Sequence, residues 1–85
     1  MSQPGRTSMT WTIRSGADLG RAVAEIRGRR HLTQAALAEE AGLSRDYLAQ
    51  LESGRSVTLL EHLLRILRRS GATVTVTWPG EHGEG

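Results

Sequence analysis

The 85-residue chain contains no cysteine, which excludes disulfides and thiolate metal ligation. Its three histidines, His31, His62 and His82, have no ligand spacing, so neither zinc nor any other cofactor is expected. No apolar run approaches the roughly 20 residues needed to cross a bilayer. The N-terminal MSQPGRTS also lacks the apolar centre of a secretory signal, and the expected location is the cytoplasm. A nucleophile elbow, a phosphate loop and a clustered metal set are likewise missing, so catalysis is not expected. Lysine is absent as well, and all 11 basic residues are arginine. GC-rich coding would produce the same bias, so arginine usage by itself carries no functional argument.

A chain of this length forms one small domain with room for four or five helices and a modest core. Its charge is uneven. Residues 1–32 hold six arginines against two acids, residues 33–56 two against four, and the remainder three against three. Both ends, 1–7 and 79–85, are poor in apolar residues and contain proline and glycine, the composition of mobile termini.

Between these ends the periodicity changes several times. Met9, Trp11 and Ile13 alternate with Ser8, Thr10 and Thr12, which reads as a short strand or extended arm. Ser15 is the expected cap of a first helix running to about Arg30, with Leu19, Ala22, Val23 and Ile26 in one apolar stripe. Thr58 is the expected cap of a last helix through about Ser70. The leucines of that helix, Leu59, Leu60, Leu63, Leu64 and Leu67, together with Ile66, cover more of its circumference than one small domain needs. The surplus predicts a homodimer. After Gly71, the segment Ala72 to Trp78 places Val74, Val76 and Trp78 on one face and threonines on the other. A lone strand is unstable in water, so this one must pair with 9–13 or with its copy in a second subunit.

The densest signal is Thr33 to Arg55, TQAALAEEAGLSRDYLAQLESGR. Thr33 and Ser44 stand where two short helices need N-caps, and Gly42 stands where the first helix needs a residue of positive φ. Leu37, Ala41, Leu43, Leu48 and Leu51 are the expected buried face. Ala38 falls where the two helices touch and only a small side chain fits. That arrangement is a helix-turn-helix, whose usual ligand is duplex DNA. The chemistry of the second helix agrees: arginine can grip guanine, glutamine adenine and aspartate cytosine through the major groove.

The pattern TQ-x-x-LA-x-x-x-G-x-S, continued by LE-x-G at 51–54, resembles the xenobiotic-response-element (Cro/repressor-like) helix-turn-helix family. TIRSGADLG, the leucine-rich helix and ATVTVTW are similar to its HipB-like antitoxin branch, over residues 11 to 78. The resemblance implies a mainly α, lambda-repressor-like domain of four to five helices over 15–71. An arm over 1–14 precedes it, and a dimerisation strand over 72–78 and a disordered tail over 79–85 follow.

Ser44, Arg45, Asp46 and Gln50 are then expected at base edges, although Asp46 has the alternative of orienting Arg45. Gln34, Thr33, Tyr47, Ser53 and Arg55 are expected at phosphates, with a partly buried ring as the alternative for Tyr47. Arg27 and Glu52 resemble an internal ion pair. Dimer contacts would come from Leu60, Leu63, Leu64, Leu67, Val74, Val76 and Trp78. The implied partners are operator DNA at the nucleoid, a second copy of the chain and a HipA-like kinase toxin, and the implied action is repression of the protein's own operon. Two alternatives remain: a stand-alone regulator without a toxin, and a protein-binding adaptor that has lost DNA contact, which the acidic balance of 33–56 favours.

Overall fold

A computed structural model describes residues 8–55 and 57–80. Of the stretches expected to be mobile, 1–7 and 79–85, all but Pro79 and Gly80 lie outside them. The described elements are β1 (Met9–Ile13), α1 (Gly16–Arg29), α2 (Gln34–Ala41), α3 (Arg45–Glu52), α4 (Thr58–Arg69) and β2 (Val74–Trp78).

Three of the helix starts are set by hydroxyl caps. Ser15 Oγ accepts from the Asp18 amide at 3.2 Å, Thr33 Oγ1 from Ala36 at 3.0 Å and Ser44 Oγ from Tyr47 at 3.0 Å. Each bond satisfies one of the amides that a first turn leaves free. The fourth start differs from expectation. Val57 is the N-cap of α4 and makes no side-chain cap bond, while Thr58 is already helical. A valine cap leaves that first turn without side-chain help, so α4 depends on its packing.

Gly42 adopts φ 74° and its amide returns to the carbonyls of Ala38 and Glu39, closing α2 in the left-handed conformation that glycine reaches without strain. Gly71 (φ 85°) follows α4 in the same way.

The two strands pair antiparallel in register Met9↔Trp78, Trp11↔Val76 and Ile13↔Val74. Period-two alternation puts these side chains on one face and the threonines on the other. That inner face lies on the core formed by Ile13, Ala22 and Leu64, with Trp11, Leu19, Leu60, Val74 and Val76 packed around it. This pairing gives β2 a partner within the chain along one edge, and among the described residues its other edge has no strand beside it.

Several residues therefore have different roles from those expected. Leu64, placed at a dimer surface by the sequence, is only 6% exposed and belongs to the chain's own core. Leu60, Val74 and Val76 pack against that core too. Ala41 and Leu43, expected to be buried, are exposed. Ala38 and Leu48 carry the burial within the two short helices. With eight residues each, these helices have about two turns apiece and can hide only one or two side chains apiece, α3 against α1 and α2 against α3.

The surplus of α4 is visible on its outer side. Leu59, Leu63, Ile66 and Leu67 are 70%, 50%, 60% and 40% exposed. At helical spacing they form one stripe beside the edge that faces the core.

Candidate nucleic-acid interface

The candidate interface is the outward side of α3. Leu48, one turn into the helix, is buried, which turns Asp46 and Gln50 toward solvent, and Arg45 and Tyr47 are exposed as well. Arg45 and Asp46 have side chains 62% and 89% exposed, with Nη1 and Oδ1 3.6 Å apart. The Tyr47 ring is half exposed, at 45%. Ser44 Oγ accepts the cap bond from the Tyr47 amide, which leaves its O–H as a donor. Ser53 Oγ donates to the Gln50 carbonyl at 2.8 Å. Arg55 is exposed just beyond the end of the helix, and its amide donates to the Gln50 carbonyl at 3.1 Å.

Gln34 begins α2 beneath this surface. Its Nε2 donates to Glu52 Oε1 at 3.0 Å, which leaves one amide hydrogen for a phosphate. Thr33 offers a free backbone start of α2 but has committed its hydroxyl to the cap.

Arg27 and Glu52 hold the unit in place. Arg27 Nε donates to Glu52 Oε2 at 2.7 Å and Nη2 to Oε1 at 3.0 Å, while Nη1 reaches the Leu32 carbonyl at 2.9 Å. One guanidinium thus ties α1, the loop before α2 and the end of α3 together, in the two-bond geometry that suits arginine and carboxylate. Hydrogen bonding from Arg27, and secondarily from Gln34, holds the Glu52 carboxyl below the usual carboxylate range despite partial burial. The same contact raises Arg27 above its ordinary value.

Three further ties have no signature among neighbouring residues. Arg30 clamps Glu40 with two bonds of 3.1 Å, joining α1 to α2. Trp11 Nε1 donates to Glu25 Oε1 at 3.0 Å, and the Gly16 amide donates to Glu61 Oε2 at 2.9 Å. These pairs are 10, 14 and 45 residues apart in the chain, beyond the reach of any local pattern. One signal was available for a fourth feature. Gly20 sits inside α1, where glycine is unfavourable unless a close approach demands it, and a Cβ there would overlap the Leu51 carbonyl oxygen at the end of α3.

The comparisons agree with this geometry. A family model described as Helix-turn-helix matches residues 23–71, which span the second half of α1 through α4. The chain belongs to this family of helix-turn-helix proteins, of the xenobiotic-response-element-like type, and its helices with a small two-stranded sheet are the lambda-repressor-like fold. Among curated proteins it is similar to y4mF of Sinorhizobium fredii, an HTH-type transcriptional regulator by name, with 30% identity over 73 residues that cover 86% of this chain and 96% of that one. No solved structure matches.

Proposed function

We propose that the chain is a sequence-specific DNA-binding transcriptional repressor that acts as a homodimer on an inverted repeat. One observation carries this: α3 buries a single leucine and turns Arg45, Asp46 and Gln50 outward together, a set of side chains that can read base edges in a major groove. In this assignment Arg45, Asp46 and Gln50 face bases, and Ser44 faces them through its backbone. Tyr47, Arg55, Gln34, Thr33 and Ser53 face phosphates, Thr33 through its backbone amide and Ser53 by turning its hydroxyl away from the Gln50 carbonyl.

The acidic balance of 33–56, which favoured an adaptor that cannot bind DNA, is offset by pairing. Glu40, Glu52 and Asp46 each lie beside an arginine, at 3.1, 2.7 and 3.6 Å. Among the described residues of this stretch Glu39 alone has no such partner. The potential that approaching phosphates meet is therefore less negative than the bare count suggests.

The exposed stripe Leu59, Leu63, Ile66 and Leu67 supports the dimer. A second copy would bury it and set two α3 helices about 34–36 Å apart, one turn of B-DNA. The similarity of residues 11 to 78 to HipB-like antitoxins supports a narrower version, in which the protein represses its own operon, remains with the nucleoid and binds a HipA-like kinase toxin.

The test is titration of the full chain onto the promoter upstream of its own gene and onto a scrambled duplex, at two salt concentrations, with stoichiometry read in the same experiment. Promoter-specific binding of two chains per inverted repeat is expected. Equal, weak binding to both duplexes would overturn the proposal in favour of a protein-binding adaptor.

A further inference from the structure

An opening of about 290 Å³ lies between the sheet and the C-terminal half of α4, and no residue of α2 or α3 lines it. Its volume is at the small end of the roughly 300–1,000 Å³ that ligand pockets span. Its lining is mixed: Ile13 and Leu64 are buried with Val74 packed beside them, and Thr12 and Thr73 add polar groups. Ala72 leaves the space open at the approach to β2, where a longer side chain would fill it. The rim is cationic, with Arg14 and Arg68 both among the lining residues and no acid among them.

The two arginines are differently employed. Arg68 Nη1 donates to the Arg14 carbonyl at 3.0 Å, which fixes the guanidinium at the rim and leaves most of its N–H donors unspent. The Arg14 guanidinium makes no hydrogen bond among the described residues. Asp18, the acid one turn on, accepts from the Arg14 amide at 2.9 Å and from Arg21 at 3.2 Å, and its carboxylate also feels the Arg14 charge without a hydrogen bond to that guanidinium. A fixed cation, a second cation whose guanidinium makes no hydrogen bond among the described residues, and a small patch of apolar side chains together suit one kind of molecule. The body of that ligand must be apolar and short, and its head must be an acceptor with two oxygens for a planar guanidinium.

We infer that this opening is a binding site for a small organic carboxylate, with its chain on Ile13, Leu64 and Val74 and its head between Arg14 and Arg68. The site lies apart from the DNA-facing helix and does not depend on the DNA-binding proposal.

The experiment follows backbone amide shifts of the full chain during titration with hexanoate, beside hexanamide and sulfate. Hexanoate is expected to give saturating shifts confined to Ile13, Arg14, Leu64, Thr73 and their neighbours. Arg14→Gln should weaken this binding about tenfold, the usual effect of losing one charge-assisted contact. Ala72→Leu should abolish it while the amides of α2 and α3 keep their positions. Equal shifts with hexanamide would mean that the arginines take no part. Sulfate shifting the same amides as strongly as hexanoate would mean an adventitious ion only. Either result, or hexanoate shifts unaltered by Arg14→Gln, overturns the inference.

Discussion

Glu52→Ala should destabilise the domain by about 3 kcal/mol, toward the lower end of the roughly 3–5 kcal/mol typical of breaking a buried ion pair. The lower end applies because the two side chains are unequally hidden, Glu52 at 6% and Arg27 at 22% exposure. After the substitution Arg27 keeps its bond to the Leu32 carbonyl but loses both carboxylate bonds, and the Gln34 amide loses its acceptor. Three elements that met at one carboxylate then have nothing polar in common. For a domain of roughly 60–100 residues each kcal/mol moves Tm by about 4–8 °C, so a fall of about 12–24 °C is expected by thermal denaturation followed by circular dichroism. A fall of less than about 4 °C would refute the reasoning, because it would mean that the pair is solvated enough to contribute no more than an exposed salt bridge.

The same carboxylate makes an acid prediction. Its folded pKa lies below its ordinary 4.5, so the folded chain holds that proton less readily than the unfolded one. The stabilisation is therefore complete above the unfolded value and is lost as pH falls through the lower, folded value. Glu52→Gln, which keeps the shape and one acceptor oxygen, should show a smaller loss at neutral pH and a shallower decline of Tm on acidification below about pH 4.5.

Gly20→Ala should cost about 1–3 kcal/mol by urea denaturation, because the new methyl group meets the Leu51 carbonyl oxygen and must push α1 from α3; unchanged stability would show that the two helices are not in contact in solution. Leu63→Glu should convert a dimer to a monomer in sedimentation equilibrium, since at 50% exposure Leu63 has about half of its roughly 1.5–3 kcal/mol of burial still to gain. A dimer persisting in this variant and in Ile66→Glu would place the subunit contact elsewhere. Arg45→Ala should alter base preference at one operator position by about 1–3 kcal/mol, whereas Arg55→Ala should weaken binding to all duplexes and lower the salt slope by about 1. The opposite pattern in binding isotherms would exchange the roles assigned to these two arginines.

Local chemistry determined much of this protein without any fold. The caps Ser15, Thr33 and Ser44, the glycine of positive φ at 42, the alternation of both strands and the leucine excess of α4 are all consequences of neighbouring residues, because helix starts, turns and periodic faces depend on backbone groups a few positions apart. Asp46 and Gln50 were legible for the same reason: once Leu48 is placed inside, the spacing of a helix turns them away, whereas Arg45, three residues before Leu48, shares its side and is exposed at the helix start.

Only tertiary structure decided which apolar faces meet. Period alone gave Leu64, Val74 and Val76 the same standing as Leu63 and Leu67, and placed Ala41 and Leu43 inside. Packing of β1 on β2, and of both on α1 with Leu64 of α4, put Leu64 in the chain's own core and Val74 and Val76 against it, left Leu63 and Leu67 outside, and left helices of two turns too short to cover Ala41 and Leu43. The partners of Glu40, Glu25 and Glu61 were equally hidden, since a carboxylate's sequence neighbours say nothing of which cation or amide will arrive from another helix. Burial and pairing are properties of surfaces brought together across the chain, and those become defined only when the chain has closed on itself.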